Sequence, residues 1–484
     1  MYGNSIKAHI IRAFFKIAYK ENLMYYLAID IGASSGRHIL AKVEGGKVEL
    51  KEIYRFKNGA EKCGGELCWN VKKLYADILN GLKECAKLGL TPYSVGIDTW
   101  GVDYALLDKD GAVLGDVYSY RSSRTDGIPE KTEEILPFKE LYSKTGIQKC
   151  TFNTVYQLYA DKLSGKLKKA EKFLMVPDLM NYYLTGVMAN EYSDASTTAL
   201  LNAETRDWDK SILKALGIPE KIFSKIVKPG HILGRFTEEV KNYVGFDANV
   251  VVVAEHDTAS AVMAVPSLDD TPLYISSGTW SLLGTELKKP ITNEKALKFN
   301  MTNEGGYNDT IRFLKNITGM WTIQNIKKEL NDKYGYEDLM NLAIAASDIK
   351  TVVDLNDKRF LAPDSMIEAV KSYAREKGDR VPETVGEVMN VVYNSLASLY
   401  ADTVKKTEEI VGVKFTSLNV VGGGSKDRYL NELTKKYTGL KVLTGPTEGT
   451  AVGNVLCQAI SSKEIKDITE ARKIVMNSFG IKEI

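Results

Sequence analysis

The first strongly apolar run of the chain, YYLAIDI (Tyr25 to Ile31), breaks at a small polar turn, GASSGR (Gly32 to Arg37), and resumes as HILAKVE (His38 to Glu44). An unbroken apolar run of this length, bounded by turn residues, predicts a buried strand. Gly45-Gly46 is a two-residue hairpin signal, and KVELKEI after it alternates apolar and polar positions as a third strand. Val95 to Trp100 and Tyr104 to Leu107 read as two further short strands around Gly101, with Asp110-Gly111 as the next turn, so the same sheet is extended. Helical periodicity then dominates until VVVVA (Val250 to Ala254), which runs into Glu255, His256, Asp257 and Thr258. Polar residues at a strand end are where α/β folds place their sites.

The second half opens as the first did. LYIS (Leu273 to Ser276) is followed by the turn SGTW and by SLLGTEL, again strand, hydroxyl-rich glycine turn, strand. The likeness of residues 30–35 (DIGASS) to 276–281 (SSGTWS) suggests a duplication, with two similar domains each giving one turn to a shared cleft. Between them the polar stretch Pro266 to Pro272 is the candidate boundary. Later, SLNVV (Ser417 to Val421) enters Gly422-Gly423-Gly424, and a helix follows with Ser425 as its expected N-cap, Leu430, Leu433 and Tyr437 on one face, and Gly439 at its stop. KVLTGP (Lys441 to Pro446) then leads to a last helix around Asn454 to Ile460. A helix directly after the first glycine turn would be needed for a dinucleotide fold or a Walker loop, and neither GxGxxG nor GxxxxGK[ST] occurs.

Residues 1–23 stand apart from this pattern. Ile6, Ile10, Phe14 and Ile17 have helical spacing with Lys7, Arg12, Lys16 and Lys20 between them, as in a basic amphipathic surface helix. His9, Arg12 and Lys16 interrupt the apolar core that a secretory signal requires. The expectation is a leader outside the fold, with Met24 as the working start, a first domain over 24–266 and a second over 267–484.

Composition narrows the classes. With 484 residues, 44% hydrophobic and 26% charged, the chain is an ordinary globular protein of more than one domain. A net charge of +2 is too balanced for a dedicated nucleic-acid binder, and no run approaches the roughly 20 apolar residues that span a bilayer. Five cysteines with no CxxC pair and four histidines argue against structural zinc. All five, Cys63 and Cys68 included, are expected as free thiols in a reducing cytoplasm.

Some residues invite a chemical reading. Turns of glycine and hydroxyl residues let backbone N–H groups approach an anion, and Ser34, Ser35 and Thr279 add hydroxyl donors, which suits phosphate. Asp30, inside an apolar strand at the mouth of the first turn, either attends magnesium bound with nucleotide phosphates or caps its own turn. Asp257 is placed to accept a proton from a substrate hydroxyl during phosphoryl transfer, or to serve as the N-cap of a following helix. His256 alone reads as a structural histidine. The three glycines 422–424 would let a flat ring lie against the backbone, or form a plain strand-to-helix turn.

AIDIGASSGR (28–37), GIDTWGVDYALLD (96–108), YRSSRTDG (120–127), HDTASAV (256–262), SSGTWSLLG (276–284), NEGG (303–306), LKNITGMW (314–321) and VVGGGSKDRYLN (420–431) together resemble the carbohydrate kinases of the FGGY family. The resemblance runs from Met24 to about Ile460. GASSGR, TWGVDYALLD and HDTASAV bring the chain closest to the members that phosphorylate L-rhamnulose; glycerol and xylulose kinases have threonine where this chain has Ala33. It implies an α/β protein of two ribonuclease H-like, actin-like ATPase domains with an interdomain cleft, and transfer of the ATP γ-phosphoryl group to the 1-hydroxyl of the sugar with Mg2+. By position, Asp257 would be the general base, with Gly101, His256 and Thr258 lining the sugar site. Ala33, Ser34, Ser35, Gly36 and Arg37 would meet the ATP phosphates, and Thr279, Asn316, Gln324 and Gly424 would complete the nucleotide site. Asp30 would be the metal-associated carboxylate. The implied enzyme is cytoplasmic, with sugar and ATP as ligands and no obligatory protein, nucleic-acid or membrane partner. A related ketose such as L-fuculose or L-xylulose is the alternative substrate, and a non-catalytic sugar sensor the alternative class. The leader has no family counterpart, and Gly449 stands where the family pattern leads one to expect alanine.

Overall fold

The computed structural model describes residues 23–360 and 363–484. The amphipathic pattern of residues 1–22 lies outside the described residues, while Leu23 is partly buried against the first core.

Six strands make the first main sheet: β1 (Tyr25–Ile31), β2 (Ser35–Glu44), β3 (Lys47–Lys57), β4 (Ser94–Thr99), β5 (His231–Arg235) and β6 (Asn249–Val252), in the order β5-β6-β4-β1-β2-β3. β1 is wholly buried, pairs parallel with β4, setting Asp30 beside Asp98, and pairs antiparallel with β2 across a turn of Gly32, Ala33 and Ser34 that is shorter than the expected Gly32 to Arg37, because Gly36 and Arg37 pair with Ile31 and Asp30. The parallel step needs a crossover, supplied by helix α1 (Val71–Lys87), whose Leu74, Ile78 and Leu82 bury one stripe against the sheet.

The second sheet repeats the plan. Its strands are β7 (Leu273–Ser277), β8 (Ser281–Leu287), β9 (Thr302–Gly305), β10 (Ile311–Ile317), β11 (Ser417–Val421), β12 (Lys441–Thr444) and β13 (Lys482–Glu483), in the order β9-β10-β8-β7-β11-β12-β13. Here β7 pairs antiparallel with β8 and parallel with β11, as β1 does with β2 and β4. Both sheets therefore present the carboxyl ends of a central strand and its parallel neighbour, followed by a turn of small residues.

Three local expectations are corrected. Tyr104–Leu107 does not extend the main sheet; it pairs with Lys172–Met175 in a separate two-stranded sheet. The chain leaves β4 through Gly101 and Val102, and Val102 has φ +70°, which redirects the strand. Helix α3 (Arg428–Thr438) is capped by Asp427, which accepts from the Leu430 N–H, and not by Ser425, which lies in the 3-10 turn Gly423–Lys426. Cys63 and Cys68 are joined in a disulfide and are not free thiols. Gly64 and Gly65, at φ +56° and +98°, fold their hairpin back so that the two Cα atoms stand 6.0 Å apart; Cys85, Cys150 and Cys457 are unbridged.

The halves are locked by an exchange of helices. Helix α2 (Asp257–Met263) follows β6, yet its Ala261 and Val262 pack with Tyr274 and Val421 of the second sheet. Helix α4 (Gly449–Ser461) follows β12, yet its Ala451, Val452 and Val455 pack with Tyr26, Ala28 and Ile39 of the first. Polar side chains fix the register: Asn454 Nδ2 donates to Gly96 O (3.1 Å) and Asp98 Oδ2 (2.6 Å), Gln458 Nε2 donates to Leu27 O (3.2 Å), and Ser94 Oγ donates to Gln458 Oε1 (2.7 Å). Where α2 and α4 cross, a Cβ on Gly453 would stand 1.7 Å from the Ser260 carbonyl oxygen. That contact is backbone to backbone and has no flexible side chain to yield. Gly453→Ala should therefore destabilise the protein by about 1–3 kcal/mol, read as a lower urea midpoint; an unchanged midpoint would contradict this crossing.

Candidate active site

The strand ends of both sheets open onto one cleft of about 680 Å³. Gly32, Ala33 and Ser34 after β1, Trp100, Gly101 and Val102 after β4, and His256, Asp257 and Thr258 after β6 line one side; Gly278 and Thr279 after β7 and Gly422 and Gly423 after β11 line the other. Ligands of open α/β sheets gather at such carboxyl ends.

Asp257 is the first residue of α2, with His256 in the cap position, so it is not the N-cap and its carboxylate is free to face the cleft. Thr258 Oγ1 donates to Asp257 Oδ1 (3.1 Å), and His256 Nε2 stands 3.6 Å from the same oxygen. Burial raises the proton affinity of Asp257 above that of an ordinary aspartate and the charge of Asp30 adds to this, against the opposing influence of His256. A carboxylate so tuned suits proton acceptance near neutrality. Behind it the turn 255–257 is held by Glu191, whose carboxylate accepts from Ser193 N and Oγ (2.6 Å each), Asp194 N (2.8 Å) and Glu255 N (3.2 Å), while His256 N donates to Ser193 Oγ (3.2 Å). Burial pushes Glu191 up to about 7.

The wall beside Gly101 depends on a residue that sequence reasoning missed. Asp103 is fully buried; its Oδ2 accepts from Trp69 Nε1 (2.6 Å), Trp100 Nε1 (2.9 Å) and Tyr120 N (3.0 Å), and its Oδ1 from Gln157 Nε2 (3.1 Å). Trp69 and Trp100 lie in contact with ring centroids 4.1 Å apart and planes tilted by 37°, and both line the cleft with Tyr120. The adjacent Val102, a β-branched residue in the left-handed region, is held there by Thr197 Oγ1 on its N–H (3.1 Å) and by Thr154 and Gln157 on its carbonyl. Backbone strain of this kind persists only where the surroundings over-determine it.

Of the residues assigned to phosphate and nucleotide, Ala33, Ser34, Arg37, Thr279, Asn316 and Gln324 line the cleft, whereas Ser35, Gly36 and Gly424 do not. Gly36 lies under the Phe56 ring, and Gly424 is pressed on Ser277, so it is Gly422 and Gly423 that face the cleft. Arg37 is already paired: its Nη2 and Nε donate to Asp30 Oδ2 (2.8 and 3.0 Å), and its Nη1 contacts Glu448. Asp30 is thus neither unpaired nor the cap of its own turn. Its neighbour Asp98 is fully buried, with Oδ1 lacking a hydrogen-bond partner; burial raises its pKa well above the usual value and the charge of Asp30 adds to it.

A duplicated sheet plan whose paired strand-end turns face one cleft, with Asp257 lining it, is the architecture of a two-domain sugar kinase. The chain belongs to the FGGY family of carbohydrate kinases, whose N-terminal domain matches residues 25–264 and whose C-terminal domain matches residues 273–462. It is 46% identical to the rhamnulokinase of Halalkalibacterium halodurans (95% of this chain, 98% of that one) and 44% identical to that of Bacillus subtilis (95% of each). Among solved structures, Plasmodium falciparum glycerol kinase with ADP superposes with a TM-score of 0.75 at 14% identity, covering 95% of this chain and 94% of that one, which shows the shared fold.

The signal for Asp103 was present in the TWGVDY run, but its partners come from residues 69, 120 and 157. An amide in its place would turn an N–H toward N–H donors. Asp103→Asn should raise the KM for sugar by about tenfold, from the loss of one or two charge-assisted bonds, with kcat less affected; an unchanged sugar KM would remove Asp103 from the support of this wall.

Proposed function

We propose that this chain transfers the γ-phosphoryl group of ATP to the 1-hydroxyl of L-rhamnulose, giving L-rhamnulose 1-phosphate and ADP. The observation that carries the reading is the position of Asp257. It faces a cleft whose one side carries the Trp69–Trp100–Tyr120 wall and the turn at 32–34 and whose other carries the small-residue turns at 278–279 and 422–423. The full-length likeness to rhamnulokinases at 40–46% identity supports the sugar.

In this reading residues 24–266 hold the sugar and residues 267–484 the nucleotide. Asp257 takes the proton of the 1-hydroxyl as that oxygen bonds to the γ-phosphorus, and the bond to the ADP oxygen breaks. The carboxylate ends protonated and the product carries the phosphoryl group. Gly101, His256 and Thr258 position the sugar, while backbone N–H groups of the turns and the Thr279 hydroxyl hold phosphate oxygens, with Asn316 and Gln324 on the nucleotide side. Phosphoryl transfer asks chiefly for such placement and charge neutralisation. Asp30, beside Asp98 at the end of β1, would be the carboxylate that attends Mg2+, which would supply charge neutralisation on the phosphates. Closing the halves on the sugar keeps water from the phosphoryl group. No helix among the described residues is long and apolar enough to cross a membrane; dependence on ATP supports a cytoplasmic place of action.

The test is ADP release over a panel of L-rhamnulose, L-fuculose and L-xylulose with the wild type and Asp257→Asn. The expected result is the highest kcat/KM for L-rhamnulose, and a loss of kcat in the variant by about two to four orders of magnitude, the usual worth of acid–base catalysis, with sugar binding retained. Another preferred ketose would replace the substrate and leave the kinase class standing; near-normal turnover in the variant would remove Asp257 as the base.

A further inference from the structure

His256 belongs to the first half, but its imidazole is held from the second. Arg312, on β10, places Nη2 3.0 Å from His256 Nδ1, and Glu304, on β9, places Oε2 3.4 Å from the same nitrogen. Arg312 is fully buried; its Nε donates to Gly305 O (2.7 Å) and its Nη1 lies 3.2 Å from Glu304 Oε2. Burial pushes the Glu304 carboxyl up, but Arg312 together with His256 and Asn316 outweighs it and holds Glu304 below the usual glutamate value.

A guanidinium has five N–H donors and no acceptor. Its 3.0 Å contact therefore needs a lone pair on His256 Nδ1. A proton on Nδ1, whether in the other neutral tautomer or in the imidazolium, would set N–H against N–H at that distance. The proton of a neutral ring must then sit on Nε2, the nitrogen 3.6 Å from Asp257 Oδ1, and both residues line the cleft.

We infer that Arg312, with Glu304 as its counter-charge, is a positioning residue that fixes His256 as the Nε2–H tautomer. His256 is thereby a hydrogen-bond donor to an acceptor oxygen of the sugar next to the hydroxyl that Asp257 deprotonates. This rests on the sugar-kinase reading for the identity of the acceptor, but the tautomer itself is a property of the sugar-free protein. It also explains the NEGG run, because strand β9 carries Glu304 and the Gly305 carbonyl to the two ends of one guanidinium. Because the contact crosses between halves, the donor is set only when the second half is seated against the first.

The experiment is nitrogen-15 NMR of the full chain labelled at histidine, at about pH 8, above the ordinary histidine range, with His256→Asn identifying the His256 signals among four histidines. The expected spectrum has His256 Nε2 protonated and Nδ1 bare. A proton on Nδ1, or on both nitrogens, overturns the inference in the wild type alone. The paired change Arg312→Met with Glu304→Gln removes the donor and its counter-charge together, leaving no lone buried charge. In it the Nδ1–H form should rise, and the sugar KM should increase by about tenfold, the worth of one hydrogen bond to a polar acceptor, with a smaller change in kcat. An unmoved tautomer overturns the role of Arg312, and a wild-type KM overturns the donor role of His256. If the paired variant does not fold, the wild-type spectrum still decides the tautomer, and an error in the substrate shows in the sugar panel instead.

Discussion

Everything in the cleft depends on the crossing of α2 and α4, where Gly453 lets one helix backbone rest on the Ser260 carbonyl of the other. Each helix ends the repeated unit of its own half and packs against the sheet of the other half. Asp257, at the start of α2, is therefore placed by both sheets at once. Asn454 and Gln458 bind β1 and β4 from the far half, so the strand ends that carry Asp30 and Asp98 are tied to the helix that starts beside Glu448, the partner of Arg37.

Charge is handled in the same distributed way. Asp30, Asp98 and Asp257 come from three neighbouring strand ends; burial raises the proton affinity of Asp98 and of Asp257, and the charge of Asp30 adds to both. Arg37 answers part of that charge and is held by two carboxylates rather than left free for a ligand. In the proposed reaction, phosphate would then meet backbone turns and hydroxyls more than side-chain cations, in keeping with a chain of net charge +2 that carries no large basic surplus.

Much of the fold was legible in the apolar runs. β1, β7 and β11 fall within a residue of their patterns because a buried strand needs continuous apolar sequence and its turns need glycine, whereas β2 begins three residues ahead of its apolar run, at Ser35. Tyr104–Leu107 had the right local pattern but the wrong sheet, since its partner lies near residue 173 and only the turn at Val102 decides which edge it meets. The pairing of Cys63 with Cys68 escaped a reading based on sparse cysteine usage, because Gly64-Gly65 acts through geometry. In the site, the strand-end residues Gly101, Asp257 and Thr279 could be placed from motif order. Asp103 and Arg312 could not, because a buried charge takes its meaning from partners scattered over the chain: two tryptophans and a backbone amide for one, a histidine from the other half for the other.

The central claim is that Asp257 directs phosphoryl transfer onto the hydroxyl nearest it in a cleft that both halves close. The most direct measurement is phosphorus-31 NMR of the product formed from ATP and L-rhamnulose labelled with carbon-13 at C1. The expected product is a single phosphomonoester whose phosphorus couples to the labelled carbon. A phosphomonoester without that coupling, or ADP and inorganic phosphate with no sugar ester, would contradict it.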